Sequence, residues 1–176
     1  MTQSQYKAEP MSRADLRRYA MSIRRELKLD HELNFPILEF LEAFPYVIDD
    51  QNFYYEIVPD SKLPKDEHAQ YKVNENCICI KEKVYDGAFK NYGRDRMTIA
   101  HELSHVLLIK HSGIKLSRSF GGSIPSYQDP EWQAKCLAGE LMIPADLIKN
   151  MPANKVAVEC GVSVQAASYQ LSKIKR

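Results

Sequence analysis

Arg96-Met97-Thr98-Ile99-Ala100-His101-Glu102-Leu103-Ser104-His105-Val106-Leu107-Leu108 is the stretch on which the reading of this chain turns. Apolar residues surround the two histidines, and the spacing predicts a largely buried helix from Arg94 to Lys110, closed by His111-Ser112-Gly113. Positions i and i+4 of a helix lie almost above one another, one turn apart. His101 and His105 so placed can hold one tetrahedral metal ion through facing nitrogens at about 2.0–2.1 Å. Glu102 projects about a third of a turn away, too far round to coordinate comfortably but within reach of a metal-bound water. That is the position of a general base. Buried imidazoles require polar partners, and a shared metal supplies one to both.

Two imidazoles leave a zinc site in need of a third protein ligand and a fourth position for water. Glu131, Glu140 and His111 are the candidates. Asp129-Pro130-Glu131 opens a helix by its cap, its proline and its acid at the positive end of the dipole, and that helix runs to about Ile143. Glu131 lies in its first turn and Glu140 nine residues on. His111 stands six residues past His105, pointing about 240° away from it. Hydrolysis of an amide also needs a donor for the developing oxyanion. Tyr127, Tyr92 and His111 are available, with Tyr127 preferred because it adjoins the Glu131 helix.

The rest of the chain frames this site. Its 176 residues, 44% hydrophobic and 27% charged, suffice for one domain with a sizeable core and exclude collagen-like, coiled-coil and wholly disordered classes. No apolar run reaches the length of a bilayer span, and Met1–Pro10 lacks the apolar stretch of a signal peptide, so the expected location is cytoplasmic with no membrane partner. A net charge of +1 argues against a general polyanion binder. Cys77, Cys79, Cys136 and Cys160 show no CxxC spacing and read as reduced, buried small hydrophobes.

Residues 1–10 read as a flexible tail. Ser12 and Asp15 suggest a capping box, followed by a helix with Leu16, Ala20, Ile23 and Leu27 on one face and a solvated basic face of Arg13, Arg17, Arg18, Arg24, Arg25 and Lys28. A second helix is expected over Ile37–Phe44, ended by Pro45, so that helices occupy 11–45. Strands are expected at Tyr46–Ile48, Phe53–Val58, Gln70–Val73 and Cys77–Lys81, the last two joined through Asn74-Glu75-Asn76 in a mostly antiparallel sheet. Gly87 and Gly93 bracket a connector, and residues 112–128 form a Ser/Gly-rich loop. The sheet and catalytic helices together span 46–148. Residues 149–176 read as a helix-turn-helix-like pair packed on the same domain, with a turn at Cys160-Gly161-Val162-Ser163.

The run from Arg96 to Leu108 resembles the ImmA/IrrE metallopeptidases, whose pattern is close to FTLAHELGHLLLH. The run Glu131-Trp132-Gln133-Ala134-Lys135-Cys136-Leu137-Ala138-Gly139-Glu140-Leu141-Met142-Ile143-Pro144 is similar to the same family's ExEANxFAAELLMP block. Two positions depart from it: Ser104 stands for the usual glycine, and Lys135 for an Asn or Asp that in related enzymes orients a ligand histidine. The resemblance implies an α+β, zincin-like fold with a small sheet packed on the HExxH helix. It also implies that Glu131 joins His101 and His105 as third ligand of Zn2+, a set that Mn2+ or Fe2+ would also accept. The activity it implies is endopeptidase cleavage of a protein, typically a helix-turn-helix repressor, often on a mobile element. Two other readings are direct DNA binding through the C-terminal pair, whose second helix is almost devoid of Arg, and a metal-bound module that acts without catalysis.

Overall fold

A computed structural model describes residues 6–112, 117–118 and 122–174. In chain order its elements are β1 (Tyr6–Lys7), α1 (Arg13–Glu26), α2 (Ile37–Val47), β2 (Tyr54–Val58), β3 (Ala69–Lys72), β4 (Cys77–Lys81), α3 (Glu82–Phe89), α4 (Gly93–Ser112), β5 (Ser117–Arg118), α5 (Pro130–Met142), α6 (Ala145–Ile148), α7 (Ala153–Cys160) and α8 (Val164–Ile174). The class is α+β.

The core forms where α4 lies against α5, α1 and the sheet. α4 and α1 both pack on α5, and Ile99, Leu103, Val106 and Leu107 of α4, Leu137 and Leu141 of α5 and Leu16 and Ile23 of α1 are buried in one core. Ala20, Ala100, Ala134 and Ala138 are buried among them, and such small side chains let helix axes approach closely. The capping box at α1 is present: Ser12 accepts from the Asp15 amide while Asp15 accepts from the Ser12 amide. All four cysteines are free and buried.

The three-stranded sheet has the order β2-β4-β3 and is mixed, not mostly antiparallel. β3 pairs antiparallel with β4 through the expected turn, where Asn76 takes a left-handed conformation (φ 52°). β2 runs parallel to β4, with Tyr54 opposite Cys77. The cause is the link after β2, which carries the chain to the far side of β4 before it turns back. Leu63 on that link packs over Cys77 and Cys79, so every residue of β4 is buried. A central strand covered on both faces carries an unbroken apolar run, and Cys77-Ile78-Cys79-Ile80 is that run.

Other expectations are corrected in the N-terminal half. Pro45 does not end α2, and Tyr46–Ile48 forms no strand. The helix continues to Val47 because Pro45 sits in its final turn, where one lost N–H is tolerable, and Ile48 N–H donates to the Phe44 carbonyl at 3.0 Å. Part of the connector between Gly87 and Gly93, with the residues before it, is the helix α3. The basic face of α1 is not wholly solvated: Arg24 is buried and donates to the carbonyls of Leu141 and Glu32, and burial lowers its pKa. Residues 6–10 are not a frayed tail. Tyr6–Lys7 pair antiparallel with Ser117–Arg118, and Ala8 N–H donates to the Gln128 carbonyl at 2.8 Å. Residues 1–5, residues 113–116 and 119–121 of the Ser/Gly-rich loop, and the end of the last expected helix at Lys175 lie outside the described residues.

The C-terminal pair is seated on α4 by two contacts. Arg96 is buried, donating from Nε to the Gly161 carbonyl at 2.9 Å and from its terminal nitrogen to the Phe35 carbonyl at 2.8 Å. Gly93 opens α4 so close to the α7–α8 turn that an added Cβ would stand 2.5 Å from the Val162 carbonyl carbon. Backbone cannot yield as a flexible side chain can. Gly93→Ala is therefore expected to lower stability by about 1–3 kcal/mol, read as a lower urea midpoint at unchanged slope.

Asp50 fastens the other end of α4. It accepts from Lys110 Nζ at 2.5 Å, Asn76 Nδ2 at 2.9 Å and the Asn52 amide at 3.0 Å, led by the lysine, and its pKa falls to about 2. A depressed carboxylate contributes stability above its unfolded pKa and loses it as pH falls through the folded value. Asp50→Asn should remove the part of the acid loss that falls between about pH 4 and pH 2, measured by thermal unfolding across that range.

Candidate metal centre

α4 presents His101 and His105 one turn apart, with Nε2 atoms 3.1 Å from each other and ring planes at 84°. α5 begins opposite them. Its cap, Asp129, accepts from the Glu131 amide at 3.0 Å, and Pro130 occupies the first turn, so Glu131 leaves the helix end in a fixed direction. One Glu131 oxygen lies 3.2 Å from His101 Nε2 and the other 3.3 Å from His105 Nε2. The three potential ligand groups lie within 4.8 Å of one another.

These separations suit a divalent ion. Tetrahedral ligands at about 2.0–2.1 Å from a common centre stand roughly 3.3 Å apart, and the observed spacings are 3.1–3.3 Å. The donor set, two imidazoles and a carboxylate, is the borderline set that zinc, manganese and ferrous iron accept. The hydrogen bonds to both histidines hold the Glu131 carboxyl far below the usual carboxylate range. Burial opposes a charged His105, but the Glu131 hydrogen bond and charge outweigh it and its pKa is raised.

Glu102 lies beside this group and turns towards β3. Its Oε2 accepts from the Tyr71 backbone N–H at 2.9 Å. Burial pushes its pKa up, against the lowering influence of the two histidines, which strengthens it as a base. Tyr71 N–H is available because β3 is an edge strand: Gln70 and Lys72 turn towards β4, as the Lys81 N–H to His68 carbonyl bond also requires, and Ala69 and Tyr71 turn outward. His101, Glu102, His105 and Glu131 line a cavity of 490 Å³, with β3 on one side and Tyr6, Ala8 and Glu9 on another.

The other sequence candidates stand elsewhere. Glu140 is buried and taken by Arg17 at 2.9 and 3.0 Å and by Arg13 at 3.3 Å. His111 packs its ring on Tyr19, centroids 4.4 Å apart. Tyr127 and Tyr92 are exposed and do not line the cavity. The Tyr127 carbonyl accepts from Met11 N–H and Gln133 Nε2. Ser104 is buried with its hydroxyl donating to the Ala100 carbonyl at 2.7 Å, so the family's glycine position has room for it. Lys135 is exposed on α5, one turn past Glu131. An ammonium only donates and cannot accept the N–H of an imidazole. A second group, Glu56, Cys77 and Cys79, also gathers within 4.8 Å, but burial raises the Cys77 thiol to about 11, which opposes thiolate ligation.

A family model described as the IrrE N-terminal-like domain matches residues 61–172, from the approach to β3 into α8. The chain belongs to the ImmA/IrrE metallopeptidase family. Comparison with curated proteins returns no match. Within this ImmA/IrrE chain, sequence reasoning missed the outward edge of β3 and the wall built by residues 6–9. The edge strand was foreshadowed by the hairpin. The polar N-terminal segment carried no signal for its pairing, which depends on backbone bonds to residues distant in sequence.

The spacing of the three groups predicts one tightly bound divalent ion per chain in equilibrium dialysis against zinc. Glu131→Ala and His105→Ala should weaken binding by at least about tenfold. His111→Ala should bind as the parent does.

Proposed function

We propose that this chain is a zinc-dependent endopeptidase acting in the cytoplasm on a protein substrate, a helix-turn-helix transcriptional repressor. The observation that carries the reading is the meeting of His101, His105 and Glu131 with Glu102 beside them on a substrate-sized cleft. The choice of a repressor rests on the resemblance in residues 96–108 and 131–144. Among the described residues no helix is long and apolar enough to cross a membrane.

Zinc bound at these residues would lower the pKa of its water towards ~7 and polarise the scissile carbonyl. His101, His105 and Glu131 would hold it. Glu102 takes a proton from the attacking water and passes it to the leaving amine. Tyr71 N–H fixes the Glu102 carboxylate by one oxygen and leaves the other to face the water. With the Tyr71 N–H engaged by Glu102, the outward backbone groups of Ala69 and the Tyr71 carbonyl give an extended peptide an edge to pair with, beside the reacting atoms. Tyr127, proposed as oxyanion donor, would have to turn its ring inward to serve, since it stands outside the cavity.

Zinc-loaded protein incubated with the repressor encoded beside its own gene should yield two fragments, and none with a chelator. Glu102→Gln should keep the metal and lower the cleavage rate by about 10²–10⁴-fold. Cleavage by that variant at the parent rate would refute the assignment.

A further inference from the structure

His101 forms a partition. On one side lies the cleft described above, whose charged lining among the described residues, its two imidazoles aside, is Glu9, Glu67, Glu102 and Glu131. On the other lies a second cavity of 570 Å³ between α4, α5 and α8, and His101 is the one residue that lines both. The charged residues lining the second cavity are all basic, Arg13 and Lys135, apart from the imidazole itself. Its walls are Trp132, Tyr169, Met97 and Ile143.

Both cations there are under-neutralised. Glu140 is engaged by two guanidiniums, and the charge of Asp146 acts on Arg17, which leaves Arg13 as the less neutralised of the two. Arg17 takes the carboxylate through two bonds of 2.9 and 3.0 Å, and Arg13 holds it by one of 3.3 Å. The Arg13 guanidinium lies between two aromatic faces, 5.8 Å from the Trp132 ring centre and 5.7 Å from that of Tyr169, an arrangement that orients it. Lys135 makes no ion pair among the described residues. It is also where this chain departs from its family's Asn or Asp, so the charge belongs to this chain's own chemistry.

We infer that this cavity is a specificity subsite that receives an acidic side chain of the substrate peptide, with Lys135 and Arg13 as the groups that read it. This rests on the peptidase reading for the peptide's path: His101 lines both cavities, so a peptide held at that imidazole in the first cleft lies next to the second. A carboxylate there would meet two cations, and among the described residues no acid lines the cavity, Glu140 lying buried behind Arg13. A Lys or Arg side chain would meet two like charges, which excludes it.

The test separates the subsite from the catalytic claim by measuring binding. Zinc-loaded Glu102→Gln protein is exposed to a synthetic mixture of capped peptide amides randomised at every position, and the retained peptides are sequenced by mass spectrometry. Asp and Glu should be enriched at one position. Lys135→Asn should reduce that enrichment by about fivefold, and Lys135→Glu, which sets a carboxylate against the remaining Arg13, should abolish it. Lys135 is exposed, so both variants should keep the parent's unfolding temperature, and each is loaded to one zinc per chain before its retained peptides are read. No acidic enrichment, or the same enrichment in Lys135→Glu, overturns the inference. A second mixture of the same peptides with free C-termini is run beside the first, and retention only from that second mixture also overturns the inference, because the cavity would then read a chain terminus. If parent protein cleaves the repressor but shows no acidic preference, the subsite falls alone. If it cleaves nothing while Glu102→Gln retains acidic peptides, the subsite stands and the peptidase reading falls.

Discussion

Two imidazole nitrogens 3.1 Å apart with a carboxylate astride them do not gather unaided. Each polar group surrenders hydration, and the side chains lose rotamer freedom on being held. What brings them together is the crossing of α5 over the middle of α4. The alanines at 100, 134 and 138 let the helices approach, and the Asp129 cap with Pro130 ends α5 at the right level. The rest of the molecule serves that crossing. α1 backs α5 through the Glu140 pairs, the sheet backs α4, and Arg96 with Gly93 seats the C-terminal pair against α4.

Charge divides along the same line. The first cleft concentrates carboxylates and is suited to a cation and to base chemistry. The second cavity concentrates cations, because Glu140 is buried and shared by two arginines and Lys135 adds to them. The helix-turn-helix-like pair takes part here as packing. Ala167 and Gln170 of α8 are buried, Gln170 Nε2 reaches the Ile143 carbonyl, and Tyr169 faces Arg13.

Much of the centre was legible because its cues are local. The i, i+4 spacing of His101 and His105 fixes their relation wherever the helix forms, and Asp129-Pro130-Glu131 marks a helix start by its own chemistry. Three candidates for the third group could not be separated from sequence, since Glu131, Glu140 and His111 differ only in what lies across from them. Long-range packing separates them. The parallel pairing of β2 with β4 was missed for a similar reason, as it depends on which side of β4 the following link passes. Pro45 misled because a proline's effect depends on how many turns remain, and here fewer than one did. Tyr6–Lys7 shows no apolar pattern, so its pairing is invisible without its partner strand.

The central claim is that His101, His105 and Glu131 together surround one metal ion. Zinc-edge X-ray absorption on the zinc-loaded chain examines that most directly. The account predicts two imidazole nitrogens and light oxygen ligands at about 2.0–2.2 Å, with one imidazole lost in His105→Ala. A shell containing sulfur at about 2.3 Å, or one unchanged when Glu131 and His105 are both replaced, would contradict it.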